Sequence, residues 1–243
     1  MNKPELLKEM LKKSRYVVFF GGAGVSTESG IPDFRSEDGI YKTRLKYGHP
    51  PEIILSHTFF MSNPGVFYDF YRSNMIFVNA KPNKAHLALS KLENEGKLKA
   101  VITQNIDGLH QLAGSKEVLE LHGSVHRNYC MKCRKSYDLD YILDSTDIPK
   151  CTHCGGIIRP DVTLYEESLD MQVLSKAMEH IHKADMLIVG GTSLAVYPAA
   201  GLIDYYNGDR LVLINKSETP YDSFANLIIH DFVGKVMGDL AGC

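Results

Sequence analysis

The chain has 243 residues, 44% of them apolar and 23% charged, a composition that supports a sizeable core and excludes a disordered chain. Lys and Arg number 27 against 29 Asp and Glu, a formal net charge of −2, so there is no global electrostatic attraction to nucleic acid or to an anionic membrane. No apolar run reaches the roughly 18–20 residues of a spanning helix, and the length allows one large domain or one domain with a substantial insertion.

The N-terminal stretch MNKPELLKEMLKKSR places Leu6, Leu7, Met10 and Leu11 on one helical face and lysines on the other. It lacks the apolar h-region and small-residue cleavage site of a signal peptide, so a cytoplasmic location is expected. Tyr16–Phe20 reads as a buried parallel strand, followed at once by Gly21-Gly22-Ala23-Gly24. The turn Gly22–Thr27 should open a helix. Its glycines would let backbone amides approach a pyrophosphate at the helix N-terminus. A strict G-x-G-x-x-G would need glycine where Thr27 stands, and no acidic residue ends a second strand about 20 positions later. A tight strand–helix turn without a ligand would look the same. Ile31-Pro32-Asp33-Phe34-Arg35 then offers a carboxylate, an aromatic face and a guanidinium, equipment for covering a cationic ring and a phosphate, or for a surface salt bridge.

Tyr41–Asn79 contains no strand pattern. Phe59, Phe60, Phe67, Tyr68, Phe70 and Tyr71 recur at helical spacing, which predicts a small helical insertion whose aromatic stripe is core. A helix over Lys84–Glu95 precedes a second strand, Ala100–Thr103, which ends in Gln104-Asn105-Ile106-Asp107. Polar side chains at the end of a buried strand are expected to face a cleft, where amides hold ribose hydroxyls and Asp107 accepts from a carboxamide; a helix N-cap explains one of them. The apolar stretch Val118–Leu121 ends in His122, whose ordinary pKa near neutrality suits a general base.

Cys130/Cys133 and Cys151/Cys154 form two Cys-x-x-Cys pairs around a 17-residue spacer, the spacing of a zinc site. Four thiolates leave no open position for water, so the metal is expected to be structural Zn2+, stapling the polar segment Val125–Arg159. Further on come a helix over Leu169–Lys183, a strand Met186–Val189 ending in Gly190-Gly191-Thr192-Ser193, and a strand Leu211–Ile214 ending in Asn215-Lys216-Ser217. Cys243 stands alone as a surface thiol. Strand, polar turn, helix, strand is the grammar of a doubly wound α/β sheet, which binds ligands outside the carboxyl ends of its strands.

Taken in order, Gly22–Arg35, Thr103-Gln104-Asn105-Ile106-Asp107, Leu121-His122-Gly123-Ser124, the four cysteines, Arg159-Pro160-Asp161-Val162, Gly191-Thr192-Ser193-Leu194 and Ile214-Asn215 resemble the sirtuins, the NAD-dependent protein lysine deacylases, over nearly the whole chain. The length is similar to that of bacterial or archaeal members. The resemblance implies a Rossmann-like NAD-binding domain from residues 1–40, 80–124 and 160–243, and a small second domain made of a helical insertion (41–79) and a four-cysteine zinc ribbon (125–159). It implies one structural zinc per chain, NAD as co-substrate, and acetyl-lysine proteins or peptides as partners of a monomer. Gly22, Ala23, Gly24, Thr27, Asp33, Phe34 and Arg35 would hold the dinucleotide. Gln104 and Asn105 would meet ribose and water, Ile106 and Asp107 would line the nicotinamide pocket, and Gly191, Thr192, Ser193, Asn215 and Asp231 would hold the adenosine half. Val162, Thr163, Leu164, Tyr165 and Leu194 would meet the peptide. His122, with Asn105, would be catalytic: the acyl oxygen attacks C1′ as nicotinamide leaves, and His122 deprotonates a ribose hydroxyl on the way to O-acyl-ADP-ribose.

Two departures stand out. Thr163-Leu164-Tyr165-Glu166-Glu167 replaces a Phe-Gly-Glu ending, putting Glu166 beside the expected peptide strand, and Tyr71 follows Tyr68 where relatives that remove acidic acyl groups carry Tyr-x-x-Arg. Two alternatives share some of these features: a zinc-containing NAD dehydrogenase, and a non-catalytic module that senses NAD or binds nucleic acid. Against nucleic acid, Arg127, Lys132, Arg134, Lys135 and Lys150 are offset by Asp138, Asp140, Asp144 and Asp147.

Overall fold

The computed structural model describes residues 2–32 and 46–243. Asn2 and Glu5 close a reciprocal capping box that starts helix α1 (Lys3–Lys13), which buries Leu7 and Met10 with Leu6 and Leu11 at the margin. The strands are β1 (Val17–Gly21), β2 (Leu98–Thr103), β3 (Val118–Glu120), β4 (Gly123–Cys130), β5 (Ser136–Tyr137), β6 (Ile158–Val162), β7 (Met186–Gly190), β8 (Leu211–Ile214) and β9 (Leu227–Ile229). Six of them form a sheet in the order β3-β2-β1-β7-β8-β9, every neighbouring pair parallel. The chain builds outward from β1 in one direction through β2 and β3, then returns to β7 on its other side. The carboxyl ends of β1 and β7 therefore mark the point where the winding reverses, the place where such sheets open a crevice.

Alternation along the strands divides the core. Val17 and Phe19 point to the face covered by α1, by α5 (Lys84–Asn94) and by α9 (Val233–Ala241), whereas Val18 and Phe20 point to the face covered by α8 (Met171–Lys183) and the 3-10 turn Ala199–Tyr205. Helix α8 begins at Met171, because the Asp170 carboxylate accepts from Gln172 N and Val173 N and so sets the start. Strand β9 and helix α9 carry no run long enough to be read from sequence.

The helix expected after Gly22 is absent. The chain makes two 3-10 turns, Ala23–Val25 and Thr27–Ser29, ended by Gly30 at φ +83°. Continued α-helical bonding is broken because Val25 O accepts the side chain of Asn83.

Between β1 and β2 the described residues include α2 (Pro51–Ile54), α3 (His57–Ser62) and α4 (Pro64–Asn74). Further on, β5-β4-β6 form a three-stranded antiparallel sheet beside α7 (Leu139–Asp144). The two regions have one core: Phe60, Phe67, Tyr68 and Tyr71 pack with Val125, Leu139, Ile142, Ile158 and two of the cysteines. The aromatic stripe is core, as its spacing predicts, and it supplies the apolar partner that Val125–Arg159 lacks alone. Tyr68 donates to Ile158 O, Tyr71 is fully buried, and Arg72 donates to Ile142 O and Asp147 O, so these side chains support the small sheet and none lines the cleft described next.

Candidate active site

At the reversal point the turns after β1 and β7 touch. Gly24 N donates to Gly191 O at 2.8 Å, and Gly191 N donates to Ile214 O at 3.0 Å. A Cβ on Gly191, at φ +62°, would lie 2.4 Å from Val25 N, and one on Gly24 would lie 2.7 Å from Gly191 Cα. These glycines let two loops cross at backbone distance.

Polar groups from separate strand ends meet beside this crossing. Asn105 Nδ2 donates to Ser26 Oγ at 3.0 Å, and Ser26 Oγ donates to Asp107 Oδ2 at 2.7 Å. Asp107 Oδ1 accepts Leu109 N at 2.9 Å, closing a turn across Gly108 just before the short helix α6 (Leu109–Leu112), while its other oxygen joins the cluster. Thr103 Oγ1 fixes Asn105 N at 3.0 Å, and Gln104 Nε2 donates to Thr192 Oγ1 at 3.1 Å, tying the β2 end to the β7 end. Ser26, 1% exposed, was not singled out by the sequence, since its partners lie 79 and 81 residues away.

His122 occupies the step between β3 and β4. Its Nδ1 lies 3.0 Å from Gln104 O. A carbonyl oxygen only accepts, so Nδ1 carries the proton and Nε2 is the basic nitrogen.

A cavity of about 430 Å³ opens here, within the range of small-molecule sites. Gly22 and Ala23 line it from the β1 turn, Gln104 to Asp107 from β2, His122 from its step, Gly191 to Ser193 from β7, and Val162 to Tyr165 from the end of β6. Ser26, Glu52, Leu55, Met75 and Phe77 also line it and were not foreseen. Gly24 and Thr27 do not line it, and Thr27 Oγ1 donates to Gly24 O. Asn215 and Asp231 lie at the ends of β8 and β9, where Asn215 Nδ2 donates to Ser217 O and Asp231 pairs with Lys235. Leu194 does not line the cavity; it is 1% exposed, at φ +55°, and packs into the core under the sheet. Asp33, Phe34 and Arg35 lie outside the described residues.

The far wall is clamped. Arg159 Nη1 and Nη2 donate to the two oxygens of Glu167 at 2.8 and 2.9 Å, Leu164 N donates to the same carboxylate, and His57 Nδ1 lies 2.8 Å from it. Glu166, at φ +75° where glycine fits better, turns its carboxylate onto Thr58 N at the start of α3. The charge expected there is thus held by a backbone amide at the start of α3.

The four cysteines converge, their Sγ atoms all within 4.8 Å of one another, with Cys130–Cys154 and Cys133–Cys151 both at 3.5 Å. Tetrahedral zinc at about 2.3 Å from each sulfur needs sulfurs about 3.8 Å apart, so the cluster fits the ion, and among the described residues no other His, Asp or Glu joins it. Burial opposes ionisation of Cys151, but donation from Tyr137 Oη and backbone amides brings that thiol down to about 5, whereas Cys154, against donation from Gly156 N, is pushed up to about 12 by burial and the other three sulfurs.

A profile of the Sir2 family matches residues 22–198. The chain is 61% identical over 238 residues to a protein of Clostridium acetobutylicum named NAD-dependent protein deacetylase, covering 98% of this chain and 97% of that one. It is 52% identical over 233 residues to a Cutibacterium acnes protein of the same name, covering 96% and 95%. Among solved structures, a Sir2 complex with deacetylated p53 peptide and 3′-O-acetyl ADP ribose superposes with a TM-score of 0.89 at 42% identity, covering 98% of this chain and 97% of that one. A Sir2–p53 peptide–NAD+ complex gives 0.85, also at 42% identity, covering 98% and 96%. With its parallel sheet, its reversal-point cleft and its four-cysteine cluster, the chain belongs to the Sir2 family.

Proposed function

We propose that the chain is an NAD-dependent protein lysine deacetylase that moves the acyl group from lysine to ADP-ribose and releases nicotinamide. The observation that carries this is His122, with Nε2 as its basic nitrogen, beside the Ser26–Asn105–Asp107 cluster at the reversal of the sheet. When bound, NAD supplies a C1′ carbon that loses nicotinamide and a ribose hydroxyl that takes up the acyl group. Ala23, Gln104 and Thr192 line the cavity where the dinucleotide would lie, and Asn215 and Asp231, outside that lining, would hold its adenosine half by resemblance. Phe34 and Arg35, with Asp33, belong to the same binding set by resemblance. Ile106 and Asp107 would take the nicotinamide carboxamide, and Asn105 would orient ribose or water. His122 Nε2 would take the proton of a ribose hydroxyl, while Gln104 O keeps the ring in the productive tautomer. Charge develops on the sugar, so fixed dipoles and exclusion of water dominate the rate. Val162 to Tyr165 would run beside the acyl-lysine peptide; Leu194, buried, is left out. The zinc holds the small sheet and takes no step.

Residues 1–40, 80–124 and 160–243 read as the NAD-binding unit, with 41–79 and 125–159 as the small one. Among the described residues no helix is long and apolar enough to cross a membrane. A cytoplasmic location and a monomeric state belong to the same reading by resemblance, and the formal net charge of −2 favours no nucleic-acid partner. Mass spectrometry of an acetyl-lysine peptide incubated with NAD tests the reading. Loss of acetyl with nicotinamide release and no NADH absorbance is expected; NADH formation without deacetylation favours a dehydrogenase.

A further inference from the structure

Strand β4 leaves its partner in mid-course. Gly123 and Ser124 pair with Val162 and Asp161, and pairing resumes only at Asn128 with Pro160, so Val125, His126 and Arg127 have no place in the ladder. A bulge of this kind re-aims side chains. All three residues reach toward the walls of the cleft. Val125 N donates to Ile106 O at 3.0 Å. His126 Nε2 lies 3.1 Å from Asp107 O, and since a carbonyl oxygen only accepts, Nε2 carries the proton. Arg127 donates from Nη1 to Glu120 Oε2 at 2.6 Å and from Nε to Asp161 Oδ2 at 2.8 Å. It thereby joins the strand that leads into His122 to the strand that ends at Val162.

Asp107 is thus held at three atoms: Oδ2 by Ser26 Oγ, Oδ1 by Leu109 N, and its carbonyl oxygen by His126. The first two bonds come from the β1 turn and from the loop itself, and the third ties the loop to the small sheet. The imidazole also lies against Gly108. A Cβ added at Gly108, at φ +74°, would stand 2.8 Å from both Cδ2 and Nε2 of His126. Packing between loop and bulge is incomplete, because a second cavity of about 410 Å³ is lined both by Asp107 to Leu109 and by Val125 to Arg127. With that space unfilled, the hydrogen bonds from Val125 N and His126 Nε2 set the separation of loop and bulge. Of the two, the His126 bond is made by a side chain and can be removed by substitution.

We propose that His126 is a positioning residue whose Nε2–H holds the Asp107 carbonyl to the small sheet and so sets the geometry of the pocket for a pyridine carboxamide. The proposal rests on the reading of Asp107 given above. His126 does not line the cleft, so it acts on the dinucleotide through Asp107.

The test sets His126→Phe, which keeps a ring against Gly108 without a donor, beside His126→Gln, whose amide Nε2 replaces the ring donor. His126→Phe should raise KM for NAD and the nicotinamide inhibition constant together by about three- to tenfold, the worth of one neutral hydrogen bond, with kcat changed less. His126→Gln should bring both constants back toward wild type. The side chain is exposed, so both variants should melt close to wild type. A role in packing alone predicts the reverse, a near-normal phenylalanine variant and an impaired glutamine variant, and that result overturns the proposal. A His126→Phe protein with both constants changed by less than about threefold, or a glutamine variant as impaired as the phenylalanine one, also overturns it. Nitrogen-15 spectra of the wild type at alkaline pH read the contact without any variant. They should show His126 as the Nε2–H tautomer, and an Nδ1–H tautomer refutes the bond. If the wild type releases no nicotinamide from NAD and acetyl peptide, the functional reading fails, and NAD affinity by calorimetry then decides His126. A loss of about threefold or more in the phenylalanine variant supports its role, and a smaller one refutes it.

Discussion

Glu167→Gln should destabilise the protein by about 3 kcal/mol at pH 7. The carboxylate is 18% exposed and its partner Arg159 11%, so the pair is largely shielded from water. Burial pushes the carboxyl up, but the Arg159 guanidinium, Leu164 N and His57 outweigh it and hold the group at about 2, against an ordinary 4.5. At about 1.4 kcal/mol per unit, that difference is worth roughly 3 kcal/mol in favour of the ionised, folded form. Glutamine leaves the guanidinium facing a neutral amide, and breaking a buried pair from one side has a cost of that order. Because the folded value is depressed, the stabilisation is complete above pH 4.5 and fades as pH falls toward 2. Urea melts of variant and wild type should differ by about 3 kcal/mol at pH 7 and only about 1 kcal/mol at pH 3. The clamp also fixes Leu164 N on the cleft wall, so KM for the peptide should rise. A variant within about 0.5 kcal/mol of wild type at pH 7, or a gap that does not shrink with acid, would refute the reasoning.

Cys151→Ser should lose stoichiometric zinc and cooperative melting of the small sheet, because a broken four-thiolate set removes the tie between the β4–β5 hairpin and β6; metal analysis beside a melt decides it. Asp107→Asn should weaken productive NAD binding and nicotinamide inhibition together, by about tenfold, and steady-state kinetics with unchanged nicotinamide inhibition would misplace the pocket. Ser26→Ala strips Asn105 Nδ2 and Asp107 Oδ2 of a shared partner in a buried place. It should cost about 1–3 kcal/mol, divided between thermal stability and KM for NAD.

Some of this molecule is written locally and some is not. The central strands are short β-branched or aromatic runs, buried on both faces, and each ends in polar residues because the crevice lies there. Four cysteines at metal spacing announce their own convergence. The turn after β1 reads as a helix start because its glycines and hydroxyls fit one. What prevents the helix is Asn83, far along the chain, taking Val25 O, together with Gly191 crossing Gly24. Strand β9 has only Leu227–Ile229, and its pairing with β8 makes it a strand. Ser26 is one hydroxyl among several in its motif until the fold brings Asn105 and Asp107 to it. The zinc segment looks coreless because its core, Phe60, Phe67, Tyr68 and Tyr71, is supplied by residues before β2.

The most direct measurement follows nicotinamide, acetyl peptide and acetyl-ADP-ribose together by mass spectrometry, in wild type and in His122→Ala, with melting curves for both. For the wild type, every acetyl group lost from the peptide should be matched by one nicotinamide and one O-acetyl-ADP-ribose. In folded His122→Ala, removal of a positioned base should slow deacetylation by about 10²–10⁴. Exchange of labelled nicotinamide into NAD should survive in part, because cleavage of that bond precedes the proton transfer. A folded His122→Ala protein that deacetylates at near wild-type rate would contradict the assignment of His122. Acetyl loss without matched nicotinamide would contradict the deacetylase reading itself.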